Sequence, residues 1–302
     1  MSSVRLATRT MDAINAAMVA DQGASFRQWE QKVLPCLDDA YRGVDEPFRS
    51  HMGASLQGDE CARAIWYSFR WFTRPKFDGR ILRLFNRGHL EEGRVISALL
   101  SIGVQVFQQD ANGKQFRIAG SSGHYGGSGD GFALGIPDLP PDQHCGLEVK
   151  THNDKSFADL KAKGVRISKT EHFAQMQQYM RKFNVPVCLY VAVNKNNDEY
   201  YMEIVTLDAA VADQYIDRAD RIIWMHSPPK KINESPGWFG CKWCDHRPVC
   251  HLGAKPDMNC RTCAFSEPRD TGDAVWHCKL HQRDIPKEIQ LSGCGSYEIK
   301  NA

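Results

Sequence analysis

The run CGLEVKTHND, residues 145–154, closes an apolar stretch with an acid, a small apolar residue and a base: Glu148, Val149 and Lys150. On a strand, side chains alternate between faces, so Glu148 and Lys150 share one side. A hard divalent cation such as Mg²⁺ takes oxygen ligands, usually one or two carboxylates completed by phosphate and water. Glu148 and the Val149 carbonyl can supply two of them, and the Lys150 ammonium can position or deprotonate an attacking water or stabilise charge on a phosphate. A second acid must come from a neighbouring strand. Asp130 in GSGDGF is the candidate, with glycines around it that let a phosphate backbone approach. In isolation a Glu-x-Lys pair reads more readily as a surface ion pair. Two further pairs shift that reading. His89 and Glu92 in GHLEE, and Gln175 and Tyr179 in QMQQY, have spacings that place each pair on one helix face, where one centre could recruit them all.

A second kind of chemistry is written in the eleven cysteines. Cys241-x2-Cys244-x5-Cys250 puts three thiols within ten residues, which suits one soft metal centre lacking a local fourth ligand. His246 or His251 would complete a zinc knuckle there. Cys260-x2-Cys263 followed by Cys278 and Cys294 fits a closed four-cysteine zinc site of structural role, with His277 or His281 as substitutes. Cys36, Cys145 and Cys188 are unclustered, and Cys188, inside an apolar strand, is read as core.

The elements that must carry these residues follow from periodicity. Residues 1–50 read as mainly helical, with Met11, Ile14, Met18 and Val19 at turn-like spacing and a break at Gly43 and Pro47. Helices are predicted over 61–72 and 83–103, and a β-meander over 104–150 with Glu148 and Lys150 on its last strand. A helix over 170–183 and strands over 186–194 and 199–207 follow, which gives an α/β class with helices flanking a mixed sheet. The literal Pro137-Asp138 falls in a proline-rich hairpin turn, away from the Glu148 end, so Asp130 is preferred over Asp138. After Pro228-Pro229 the composition turns to Cys, Gly, Pro and His, and such a segment needs bound metal to fold.

The basic run Lys155, Lys161, Lys163, Arg166 and Lys169 reads either as a backbone-holding track for DNA or as a solvated lysine-rich loop. Arg63, Arg70, Arg74 and Lys76 could extend the track. Trp66, Tyr67, Trp71 and Phe72 could stack single-strand bases, or, more commonly, fill the core. The net charge of +2 decides nothing about partners. No apolar run of about 18 residues and no leader-like start is present, so a cytoplasmic protein with no membrane association is expected.

Over roughly residues 51–251 the chain resembles the PD-(D/E)xK phosphodiesterase superfamily, in its RecB-type and CRISPR-associated iron-sulfur nuclease branch, and is similar to phage recombination exonucleases. GHLEE matches the helical motif, GSGDG the aspartate motif, LEVKT the E-x-K motif and QMQQY the Q-x-x-x-Y motif. The resemblance implies a restriction-endonuclease-like core, with His89, Asp130, Glu148 and the Val149 carbonyl on Mg²⁺ or Mn²⁺. It implies Lys150 as the catalytic lysine, with Glu92, Gln175 and Tyr179 assisting. ASLQGDECARAIWY matches the context of the branch's first cluster cysteine, so a 4Fe-4S cluster on Cys61, Cys241, Cys244 and Cys250 is implied, with zinc as the alternative.

Three domains are therefore expected: a helical segment over 1–50, the nuclease domain over 51–251 and a zinc-binding tail over 252–302. The expected activity is that of an exonuclease on linear double- or single-stranded DNA in recombination, repair or phage DNA metabolism, with a recombination protein as partner. A non-catalytic nucleic-acid-binding module and a restriction or junction endonuclease are the alternatives.

Overall fold

The apolar periodicity resolves into helices and strands in the computed structural model, which describes residues 4–37 and 49–300. In chain order these are α1 (Thr8–Asp21), α2 (Ala24–Val33), β1 (Met52–Gly53), α3 (Ala62–Phe69), α4 (Gly79–Ser101), β2 (Gln105–Phe107), β3 (Arg117–Ala119), β4 (Tyr125–Ser128), β5 (Gly131–Leu134) and β6 (Cys145–His152). Then come α5 (Asp154–Lys163), α6 (Val165–Ser168), α7 (Thr170–Phe183), β7 (Val187–Asn194), β8 (Tyr200–Thr206), α8 (Ala209–Trp224), α9 (Phe239–Lys242), α10 (Arg247–Leu252), β9 (Ser266–Pro268), β10 (Trp276–Cys278) and β11 (Arg283–Ile285). The expected break at Gly43 and Pro47 lies outside the described residues. Among the described residues no helix is long and apolar enough to cross a membrane.

The chain divides into two units, one of Met1–Pro47, Phe77–Ile118 and Ser128–Asp213, the other of Phe48–Lys76, Ala119–Gly127 and Gln214–Ala302. The first is built on a five-stranded mixed sheet in the order β2-β5-β6-β7-β8. Strands β6 and β7 run parallel, and the remaining neighbours are antiparallel. Alternation sorts β6 and β7 between two cores. Leu147, Val149, Leu189, Val191 and Val193 pack with Ile14 of α1 and Val95, Ile96 and Leu99 of α4. Cys188, Tyr190 and Ala192 pack with Phe157 and Leu160 of α5 and Phe173, Met176 and Met180 of α7. The sheet is thus covered by helices on both faces, as β6 and β7 require, since each is buried along nearly its whole length.

Two local features aim the sheet at its site. Gly131 opens β5 at φ +143°, and a Cβ there would lie 2.7 Å from the Phe107 carbonyl oxygen on the neighbouring strand. Glycine at this position is therefore required by strand pairing. The basic stretch after β6 is helical rather than a loop. Asn153 caps α5 by accepting from the Ser156 N–H at 2.9 Å, which explains why the chain turns into a helix there.

In the second unit β1 pairs in parallel with β4, and β9, β10 and β11 form an antiparallel sheet. Its core is aromatic and cationic. Trp66, Tyr67, Phe72 and Trp276 are almost fully buried, and Arg261 lies with its guanidinium 3.6 Å from the Trp71 ring centroid.

Candidate active site

Strands β5 and β6 bring the acids together. Gly131 pairs with Leu147, so Asp130, one residue earlier, stands at the Glu148 end of the hairpin. Its Oδ2 accepts the Val149 N–H at 2.9 Å, which fixes the aspartate against the backbone between Glu148 and Lys150. Asp138 is engaged elsewhere. Its carboxylate accepts from the N–H groups of Arg9 and Thr10 and from the Thr10 hydroxyl, which ties down the start of α1.

Glu148 is fully buried, and its carboxylate forms an ion pair with Lys150. Gln175 on α7 donates its Nε2 to Glu148 Oε2 at 3.3 Å. Burial pushes the Glu148 carboxyl up to about 7; the Lys150 ammonium opposes this rise and the charge of Asp130 adds to it. Burial would lower Lys150, but the combined fields of Glu148 and Asp130 outweigh it and hold the ammonium above its ordinary value. Tyr179 lies one turn beyond Gln175 and is half-buried. Burial raises its phenol, and the fields of Glu148 and Asp130 raise it further.

His89 and Glu92 sit half-buried on α4. That helix packs on the Leu147 and Val149 face of β6, whereas Glu148 and Lys150 alternate to the face covered by α7. Gln175 is the helical residue that the structure joins directly to Glu148.

One network here escapes the sequence reading. His152 continues the stripe of Glu148 and Lys150 along β6, and its Nε2 lies 2.9 Å from the Tyr190 hydroxyl. His172 of α7 meets the same hydroxyl through Nδ1, also at 2.9 Å. Tyr190 is the direct cross-strand partner of Glu148. Burial lowers His152 to about 4 and His172 to about 3, with the charge of Lys150 contributing to both, so the two imidazoles are neutral at pH 7. The sequence signal was the two-residue period 148, 150, 152.

The basic run is largely paired. Lys161 binds Glu199, Lys163 and Lys169 bind Asp159, and Arg166 binds Asp208. Such partners leave less charge for a phosphate backbone than the bare sequence suggests.

In the second unit the cysteines gather in two places. Cys61, Cys241, Cys244 and Cys250 line one cavity of about 440 Å³. Burial raises the thiols of Cys241, Cys244 and Cys250, and the field of Cys61 adds to each. Cys61 also caps α3. His246 is removed as a ligand, because its ring nitrogens already meet the Ser68 hydroxyl at 2.9 Å and the Thr73 hydroxyl at 3.2 Å.

Cys260, Cys263, Cys278 and Cys294 line a smaller cavity of about 70 Å³ together with His281. His277 points its Nδ1 at Asp284, 2.9 Å away. Among the described residues no group of three or more His, Cys, Asp or Glu side chains stands ready-made around a metal position. Cys145 and Cys188 are buried core thiols, and Cys36 is exposed.

Of the two readings of the aromatic run, the structure gives the core. Trp66, Tyr67, Trp71 and Phe72 are all buried and fill the core of their unit. Arg70 is buried with them, 4.8 Å from the Trp66 ring centroid.

No protein-family model matches the chain, and no curated protein matches it. Among solved structures, the chain is similar to an alkaline exonuclease, LHK-Exo, from Laribacter hongkongensis. The identity is 16% and the TM-score 0.42, over 57% of this chain and 86% of that one. The same exonuclease in complex with dAMP aligns at 15% identity and a TM-score of 0.38, over 57% and 86% of the two chains. At these values the likeness establishes neither a shared fold nor a shared activity.

Proposed function

We propose that the centre formed by Asp130, Glu148 and Lys150 hydrolyses phosphodiester bonds of DNA with Mg²⁺ or Mn²⁺, acting as an exonuclease on linear substrates. The observation that carries this reading is the fully buried Glu148 carboxylate, set beside Asp130 with one ammonium between two acids. Two carboxylates against one lysine leave a net negative site that is expensive to bury, and a divalent cation removes that expense. The donor set of carboxylate oxygens and a backbone carbonyl fits a hard cation. When bound, the cation polarises the scissile phosphate and lowers the pKa of a coordinated water.

The chain's own residues have separable tasks. Asp130, Glu148 and the Val149 carbonyl would supply oxygen ligands, whereas His89 stands on α4, against the other face of β6. Lys150 aligns the attacking water and offsets charge on the phosphate. Gln175 holds Glu148 in orientation through its amide, while Tyr179 beside it assists in water or DNA positioning.

The cysteine cavities are read as resident metal sites. The four thiols of Cys61, Cys241, Cys244 and Cys250, which line one cavity, are the donor type that a 4Fe-4S cluster takes. The tighter cavity of Cys260, Cys263, Cys278 and Cys294 suits one structural zinc. A broad visible absorption band in anaerobically purified protein, absent from a Cys61→Ser variant, is the expected signature of the cluster. The setting that fits is recombination, repair or phage DNA metabolism.

The test is purified protein with end-labelled linear duplex and Mg²⁺ or Mn²⁺, beside a covalently closed circle of the same sequence. Loss of label from the linear form alone supports an exonuclease, and cutting of the circle supports an endonuclease of the same chemistry. Intact linear DNA under all metal conditions refutes the proposal.

A further inference from the structure

Among the described residues, the most exposed large apolar side chains are two aromatic rings of the second unit, Phe239 at 83% and Trp243 at 75%. Phe239 opens the four-residue helix α9, and Trp243 is its C-cap. Trp238, at the other end, folds down over Gly240, where an added Cβ would lie 2.1 Å from its ring. Gly240 thus lets Trp238 lie against the turn while Phe239 and Trp243 project.

Single exposed apolar residues are ordinary, but two large rings held out within five positions, at the edge of the cavity that Cys61, Cys241, Cys244 and Cys250 line, make a patch. The charge around them is positive. Lys242 stands with its ammonium 5.0 Å from the Trp243 ring centroid, and Lys230 is exposed nearby in sequence. Residues 228–250 hold Lys230, Lys231, Lys242 and Arg247 against Glu234 and Asp245, and the cavity that the two rings line carries Arg63, Lys231 and Arg247 against Asp59 and Asp245.

We infer that Phe239 and Trp243 form a stacking platform for unpaired DNA bases, with Lys242 and Lys231 taking the adjoining phosphates. Every base has a π face, so stacking tolerates any sequence, whereas a duplex keeps those faces covered and offers the rings nothing. A cation beside the Trp243 ring favours an anionic strand over an apolar protein surface as the occupant. The choice of DNA as occupant rests on the proposed hydrolysis; the existence of the platform does not.

The experiment uses the full chain without added divalent cation and a fluorescein-labelled oligo-dT, read by anisotropy. Wild type is compared with Trp243→Ala, Phe239→Ala and the conservative Trp243→Phe, with thermal unfolding as a check of each fold. The expected result is a loss of single-strand affinity of about tenfold for each ring removed, with Trp243→Phe close to wild type and duplex binding little changed. Alanine variants that bind oligo-dT as tightly as wild type would overturn the inference. So would binding of the rings to phosphatidylserine vesicles without binding to oligo-dT. The two readings fail separately. Ring-dependent binding with no Mn²⁺-dependent degradation sinks the hydrolytic reading alone, and degradation with ring-independent binding sinks the platform alone.

Discussion

Replacing Lys150 with methionine removes the cation paired with the buried Glu148 carboxylate and keeps most of the side-chain volume. An unpartnered buried charge costs about 3–5 kcal/mol, yet the carboxyl can escape that cost by taking up a proton. In the intact site it already sits at about 7, held down by Lys150 against burial and Asp130. At pH 6 the wild-type carboxyl is itself mostly protonated, so both folded chains bear the same cost of proton uptake and the variant should be close to wild type in stability. The sign at higher pH is fixed by linkage. The folded variant holds a proton that the unfolded chain has released, so its stability falls as pH rises. At about 1.4 kcal/mol per pH unit, the gap to wild type should reach about 3 kcal/mol by pH 9. Urea unfolding at pH 6 and pH 9 reads this directly, and degradation of linear DNA should fall at least about a hundredfold. A stability loss equal at both pH values, together with wild-type activity, would refute both the ion-pair account and the role given to Lys150.

Other expectations follow from neighbouring residues. Asp130→Asn keeps an acceptor for the Val149 N–H but removes a negative charge, so the Glu148 carboxyl should shift down and Mn²⁺ affinity should fall, measurable by a Mn²⁺ titration of electron paramagnetic resonance signal. His152 and His172 are depressed in the folded chain, so the unfolded chain binds more protons between about pH 6.5 and pH 4, and stability falls as pH drops through that window. His172→Phe should flatten the acid limb of a stability profile, and an unchanged limb would show that the imidazole is not buried neutral. Gly131→Ala should destabilise by more than about 1 kcal/mol, seen as a lowered Tm, because φ +143° and the Phe107 carbonyl oxygen both oppose a Cβ.

Much of the sheet and its site was legible because its signals are local. Period-two alternation put Glu148 and Lys150 on one face, and turn residues placed Asp130 at the near end of the hairpin and Asp138 at the far one. Helical spacing set Gln175 and Tyr179 on one face of α7, and Gln175 meets Glu148 there. What failed depended on tertiary burial. The ring-rich run of α3 reads as platform or, more commonly, core, and burial of Trp66 and Tyr67 decides for core. The exposed rings at Phe239 and Trp243 stand in a cysteine-rich segment, where their neighbours drew attention first. The lysines of α5 read as a loop because charge masked the Asn153 cap and the Asp159–Lys163 pair one turn apart. His172 and Tyr190 lie on different elements, and only the folded sheet joins them to His152.

The central claim is that one carboxylate-lysine centre hydrolyses DNA with a divalent cation. It is tested most directly by release of end label from linear duplex by wild type and by Glu148→Gln, each titrated with Mn²⁺ and each reversed with chelator. The account predicts Mn²⁺-dependent release by wild type and loss of at least about a hundredfold in the variant, which keeps the shape of the buried group and removes its charge. Equal release by both proteins, or release by wild type that persists without any divalent cation, would contradict it.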